Sequence, residues 1–278
     1  EIFKKTSSQK DSVDSYITQC KSNIKHLLEI LLGQPPESSE NFTFDYYEKE
    51  DKNLQSRKSI ITNPIQFATE HQFGINYNHT EYITCVNYPG IAYNTFYNIR
   101  YCENDPEFPS KCLNLPIQDL INAVERSIDA NCPVWFACDV GQYYYKKEGI
   151  LDQDIFDMTV ISSLDQEIKQ LDFSNETDVD NFKSKILKQQ LSLPVHAMTI
   201  IGYDKDPNDQ SIVKFKIENS WGEDKKQENN GYLTMSTNWF KLFVFEIYVK
   251  KEFLDKTVDS FEDKTVDPWG LISCSFMK

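Results

Sequence analysis

Apolar residues at Val13, Ile17, Cys20, Ile24, Leu27, Leu28 and Leu31 recur at steps of three and four. That spacing predicts one amphipathic helix, capped by Asp11 or Ser12 and stopped at Gly33 ahead of Pro35-Pro36. Phe42 to Tyr47 reads as a short aromatic strand, and Glu48 to Lys58 as a charged, solvated connection. Asn63-Pro64 pairs a cap with a first-turn proline and starts a short helix through Phe67 and His71. Tyr82 to Val86 is a strand, and Tyr93 to Tyr101 is a strand or an ordered loop. From Pro116 a second clear helix carries Ile117, Leu120, Ile121, Val124 and Ile128 on one face. It leads into the continuous apolar run Pro133 to Gly141, read as a buried strand.

Beyond that strand, Gln142 to Lys147 is expected to be helical. The pattern weakens between Ile155 and Leu193, where Asp172 to Asp180 reads as an acidic loop and Asn181 to Leu191 as a polar amphipathic helix. Met198 to Tyr203 and Ile212 to Ile217 are β-branched apolar runs flanking Asp204-Lys205-Asp206-Pro207-Asn208-Asp209, so two adjacent antiparallel strands are predicted. Gly231 to Met235 is a further strand, Trp239-Phe240 sit on a helical turn, and Val244 to Val249 is the last strand expected. Helices followed by antiparallel strands make the fold class α+β.

The hairpin carries the candidate chemistry. His196 opens its first strand and Asn219 closes its second, 23 positions later. The two ends of a hairpin lie side by side, so imidazole and amide can meet. An asparagine oxygen accepting a ring N–H would fix the tautomer and aim the other nitrogen outward. Trp221 is placed to roof that bond against water. The Asp204 to Asp209 turn lacks the glycine and terminal glutamate of a calcium loop and is read as a turn. Asp139 is read as a carboxylate bonding nearby backbone or capping a helix, and Cys138 as an inert core thiol.

Composition narrows the class. The formal net charge of −14 over 278 residues argues against nucleic acid, whose binding runs on Lys and Arg, and against docking on anionic membranes. No run is apolar and long enough to cross a membrane. Seven cysteines, mostly within apolar runs, read as free thiols in a reducing compartment, and none has zinc-site spacing. No metal or cofactor is called for. Because the chain opens at Glu1 in a polar stretch, it is expected to be the later part of a longer or processed protein.

Taken together, the motifs resemble the bleomycin hydrolase family of papain-like cysteine aminopeptidases, C-terminal portion. The resemblance rests on Leu32-Gly33-Gln34-Pro35-Pro36-Glu37, Phe44-Asp45-Tyr46-Tyr47, Pro133-Val134-Trp135-Phe136 with Cys138-Asp139-Val140-Gly141, and His196-Ala197-Met198. Glu218-Asn219-Ser220-Trp221-Gly222-Glu223-Asp224, Gly231-Tyr232-Leu233, Trp239-Phe240 and Asp267-Pro268-Trp269-Gly270 follow in family order. It implies a papain-like fold, with residues 1–115 as a helical insert region, 116–250 as the β-rich domain and 251–278 as a C-terminal arm. It implies peptide substrates, His196 as base, Asn219 as its orienter and Trp221 behind them, with no cofactor. It also implies a cytoplasmic homo-oligomer, a hexamer.

Two departures from the family pattern stand out. The nucleophile of such enzymes lies in a Gln…Gly-x-Cys-Trp stretch that helps bind the oxyanion, and none of Cys20, Cys85, Cys102, Cys112, Cys132, Cys138 or Cys274 has that context. The nucleophile and oxyanion Gln are therefore expected upstream of Glu1. The chain alone is expected to be inactive and to need that N-terminal segment as a partner. The alternative is a catalytically inactive scaffold or interaction protein that keeps the fold. Secondly, the chain runs on from Gly270 through Leu271 to Lys278, where the resemblance implies a shorter arm that recognises the substrate's free amine.

Overall fold

A computed structural model describes residues 7–51, 54–70, 81–99, 111–160, 162–220, 231–255 and 262–266. The chain divides into two compact units, residues 1–77 and 78–278.

In the first unit, helix α1 spans Ser7–Leu32. It starts before the expected Asp11 or Ser12 cap, because Gln9 and Lys10 are good helix formers that extend the turn into polar sequence. It ends as expected: Gly33 adopts φ +85° and donates its N–H to the Glu29 carbonyl at 3.0 Å, a left-handed cap that costs glycine little. Strands β1 (Phe42–Asp51) and β2 (Leu54–Thr62) form an antiparallel hairpin. The charged stretch read as a connection is thus mostly strand. A two-stranded ribbon does not need a buried face along its whole length, so charge does not exclude pairing. Arg57 bridges Asp45 at 2.7 Å across it. Helix α2 (Pro64–Glu70) is capped by Asn63, whose Oδ1 accepts the Gln66 N–H at 2.9 Å, and Phe67 sets its ring 4.9 Å from Phe44.

The second unit is built on one sheet. Its strands are β3 (Tyr82–Val86), β4 (Thr95–Ile99), β5 (Lys111–Asn114), β6 (Val134–Cys138), β7 (Tyr144–Tyr145), β8 (Ile150–Leu151), β9 (His196–Lys205), β10 (Ile212–Glu218), β11 (Tyr232–Ser236), β12 (Val244–Lys250) and β13 (Glu262–Val266). They lie in the order β13-β4-β5-β3-β12-β6-β9-β10-β11-β8-β7. The helices are α3 (Ile117–Asp129), α4 (Ser163–Gln170), α5 (Glu176–Lys188) and α6 (Thr237–Phe243), followed by a 3₁₀ turn at Lys251–Phe253. This is the α+β organisation expected.

Helix α3 buries Ile117, Leu120, Ile121 and Val124, the predicted face, against the core that contains Phe136, Met198, Ile200, Phe215 and Trp239. Strand β6 is buried except at Trp135, which is 41% exposed. Four readings are corrected. Gln142 to Lys147 is not helical: Tyr143 takes φ +46°, its ring stacks 5.8 Å from Phe243, and its hydroxyl donates to Asp165, so tertiary contacts override the local pattern. The acidic stretch before Asn181 is largely the first turn of α5, capped by Asn175, where Glu176 and Asp178 complement the helix dipole. Helix α4 occupies part of the region where the pattern faded, with Ser162 as its cap. Finally, β12 is not the last strand, because β13 pairs in parallel with β4. The sequence of β13, Glu-Asp-Lys-Thr-Val, lacks apolar alternation because it is an edge strand, only part of which is covered.

Helix α5 carries a fully buried lysine. The Lys183 Nζ donates to the Val244 carbonyl at 2.5 Å and lies 4.9 Å from the centre of the Phe245 ring. The pairing of β12 with β6 is irregular between Val244 and Glu246, and the lysine bonds the carbonyl at that irregularity.

Candidate active site

The predicted hairpin is present. β9 and β10 pair antiparallel, with Glu218 opposite Thr199, Lys216 opposite Gly202 and Phe215 opposite Tyr203. The turn between them is tied by Asp206 Oδ1, which accepts the Asn208 backbone N–H at 2.8 Å and its side-chain amide at 2.9 Å. Asp209 Oδ1 accepts the Ser211 N–H at 2.9 Å. These carboxylates are consumed in turn formation. Among the described residues, no group of three or more His, Cys, Asp or Glu side chains is arranged to hold a metal ion.

Two backbone features place the pair at the hairpin's open end. His196 is the first residue of β9 and stands opposite Cys138 of β6. Asn219 follows the last residue of β10, and its N–H donates to the Gly231 carbonyl at 3.2 Å. Asn219 is 8% exposed, whereas His196 is half-buried. Between them, His196 Nε2 lies 3.0 Å from Asn219 Oδ1. An amide oxygen can only accept, so Nε2 carries the proton of this bond and the neutral ring's basic lone pair is on Nδ1. The imidazole is thereby held in one tautomer. Trp221, expected above this bond, lies outside the described residues, as do Cys102, Cys274 and the arm from Asp267 onward.

Three buried thiols of the sheet differ chemically from a nucleophile. Cys138 is fully buried, and burial with the adjacent Asp139 carboxylate pushes its thiol well above the ordinary range. Burial does the same to Cys85 and raises Cys112 to about 12. A nucleophilic cysteine needs the opposite shift, toward the thiolate. Cys138 therefore behaves as the core thiol expected, although its backbone pairs with that of His196.

Asp139 bonds backbone, as one of its two sequence readings has it, through the Leu193 N–H, and does not cap a helix. It also takes side-chain donors from Gln142, three residues on, and from Ser192, 53 residues away. No periodicity signals such a contact. Among the described residues, no helix is long and apolar enough to cross a membrane.

Comparison with known proteins gives four concordant findings. The model of the Peptidase C1-like family matches residues 2–272. Bleomycin hydrolase from Homo sapiens is 33% identical over 233 residues, covering 82% of this chain and 47% of that protein. Aminopeptidase C from Lactococcus lactis subsp. lactis is 30% identical over 275 residues, covering 97% of this chain and 57% of that protein. Among solved structures, PepW from Lactobacillus rhamnosis superposes with a TM-score of 0.67 at 25% identity, over 93% of this chain and 54% of the other. The chain spans about half the length of the curated relatives it matches.

Proposed function

Because this chain belongs to the Peptidase C1-like family and has its α+β papain-like fold, we propose that it forms the His/Asn half of a cysteine-type aminopeptidase of the bleomycin hydrolase kind. The observation that carries this reading is the 3.0 Å contact between His196 Nε2 and Asn219 Oδ1. With Nε2–H tied to the amide, Nδ1 is the atom that takes and returns a proton. In the proposed reaction a cysteine outside residues 1–278 loses its thiol proton to His196 Nδ1. The thiolate attacks the scissile carbonyl carbon, and the C–N bond breaks as the imidazolium returns that proton to the leaving amine. Water then attacks the thioester, His196 takes its proton, and the thiol is regenerated with release of the acid. Asn219 holds the ring through both proton transfers.

On the same reading, a glutamine outside this chain supplies the oxyanion donor, the assembly is a homo-oligomer, and the compartment is the cytoplasm. A second reading is an inactive scaffold. The observation favouring it is that Cys85, Cys112 and Cys138 are all buried with raised thiol pKa values.

One experiment separates the two. The natural full-length product is assayed with free-amine and N-blocked aminoacyl fluorogenic amides, before and after alkylation with an epoxide thiol inhibitor. Cleavage of the free-amine substrates, lost on alkylation and in His196→Ala, supports the peptidase. No turnover and no labelled cysteine would leave the scaffold. Cleavage of N-blocked substrates at equal rates would refute the aminopeptidase specificity while keeping the chemistry.

A further inference from the structure

The five residues leading into His196, from Leu191 to Val195, have no regular secondary structure and are nevertheless held at nearly every position. Val195 donates its N–H to the Cys138 carbonyl at 3.0 Å. Asp139, next in sequence and 8% exposed, presents one carboxylate oxygen to three donors. Oδ2 accepts the Ser192 hydroxyl at 2.9 Å, the Gln142 side-chain amide at 3.0 Å and the Leu193 N–H at 3.4 Å. The same Gln142 amide donates to the Leu191 carbonyl at 3.1 Å. Pro194 has no N–H to satisfy, and its ring fixes φ.

The anchor itself is tied into the core. The Asp139 N–H donates to the Phe243 carbonyl at 3.1 Å, and the Gln142 carbonyl accepts the indole N–H of Trp239 at 2.7 Å. Trp239 is fully buried. A continuous line of contacts thus runs from Trp239 through Gln142 and Asp139 to the segment that delivers His196.

We infer that Asp139 is a positioning residue for His196, its carboxylate fixing the Leu191–Val195 segment so that the imidazole meets Asn219 in one orientation. The inference rests on the catalytic reading of His196 given above. It concerns geometry rather than charge, because the three donors converge on a single oxygen. An asparagine at this position can offer its carbonyl oxygen to the same three donors, and alanine cannot.

The test compares Asp139→Ala, Asp139→Asn and Ser192→Ala with wild type in the natural full-length product, reading kcat, KM and thermal midpoint. Loss of an orienting partner of this kind is expected to lower kcat about 10–100-fold in Asp139→Ala, with KM changed by less than about two-fold. Asp139→Asn is expected to recover most of that loss. Ser192→Ala, which removes one donor and little volume, is expected to show a smaller loss in kcat alone. The histidine Nε2–H resonance of ¹⁵N-labelled protein, assigned with His196→Ala, is read in parallel and does not require turnover. It is expected to persist in Asp139→Asn and to broaden or vanish in Asp139→Ala. If Asp139→Ala fails to fold, Ser192→Ala with unchanged kcat and an unchanged resonance overturns the inference. So does an Asp139→Ala enzyme with wild-type kcat, or an asparagine variant no better than alanine. His196→Ala with full activity would instead sink the catalytic reading on which the inference rests.

Discussion

Cys138 and His196 stand directly opposite one another on β6 and β9, yet the thiol is fully buried and the imidazole only half-buried. Residues paired across antiparallel strands project to the same side of the sheet, with Cα atoms about 4.5–5.5 Å apart. Proximity alone would make Cys138 a tempting nucleophile. Burial argues the other way: the thiol is fully enclosed, and ionising it there is unfavourable. We therefore expect Cys138→Ala in the full-length product to keep activity within about three-fold of wild type, since removing a buried thiol is a packing change. Native-state alkylation followed by peptide mass mapping should leave Cys138 unmodified. A dead Cys138→Ala enzyme that still melts cooperatively would put the nucleophile inside this chain.

The contact between His196 and Asn219 makes a graded prediction. If His196 is the base proposed above, His196→Ala is expected to lower kcat by about 10²–10⁴-fold, the range typical of a positioned proton-transfer group. Asn219→Ala leaves the base but frees its ring, and an orienting partner of this type contributes about 10–100-fold. The ordering matters more than either value. Steady-state kinetics in which Asn219→Ala is as damaging as His196→Ala would mean that the amide acts on the substrate directly.

How much of this was legible in sequence varies with how local the cause is. The β9–β10 hairpin could be read because β-branched runs flank Asp206-Pro207-Asn208-Asp209, and the His196–Asn219 meeting followed from hairpin ends lying together. The α3 face was legible because Ile117, Leu120, Ile121 and Val124 all point at one core. The start of α5 was not, since Glu176 and Asp178 look like loop residues until Asn175 is recognised as the cap beneath them. Nor was the break at Gln142 to Lys147, which depends on Tyr143 reaching Phe243 and Asp165 across the fold. The same limitation hid the side-chain partners of Asp139, whose donor Ser192 is 53 positions away.

Trp239 supplies a test of the core beneath the site. It is fully buried, packs 5.4 Å from Phe243 and donates its indole N–H to the Gln142 carbonyl at 2.7 Å. Trp239→Ala is expected to cost about 3–5 kcal/mol of stability, the range for emptying a large aromatic site. Trp239→Phe keeps much of the volume but leaves that carbonyl without its donor, so a loss of about 1–3 kcal/mol is expected. Denaturant unfolding provides the measurement. A shift below about 1 kcal/mol for the alanine variant would mean that the site collapses without harm, contrary to a close-packed core.

Lys183 gives the protein a pH dependence of its own. Burial lowers its pKa to about 7, even though the nearby Asp180 opposes the shift. In the unfolded chain the same group titrates near about 10.4. Between those values the unfolded state binds the extra proton and the folded state does not, so this lysine makes stability rise with pH from about 7 toward about 10. Below the folded value both states are charged and its contribution is flat at its least favourable level. The raised pKa values of Cys85, Cys112 and Cys138 and of Tyr88 and Tyr93 oppose that rise once those groups ionise in the unfolded chain, from about 8.5 for thiols and about 10 for tyrosines, equally in wild type and variant. Urea unfolding at pH 7 and pH 9.5, in wild type and Lys183→Met, isolates the lysine. Wild type should gain more stability across that interval than the variant, which cannot titrate and also leaves the Val244 carbonyl without its Nζ donor. Equal gains in the two proteins would show that Lys183 keeps its charge in the fold, with the Val244 carbonyl and Asp180 outweighing its burial.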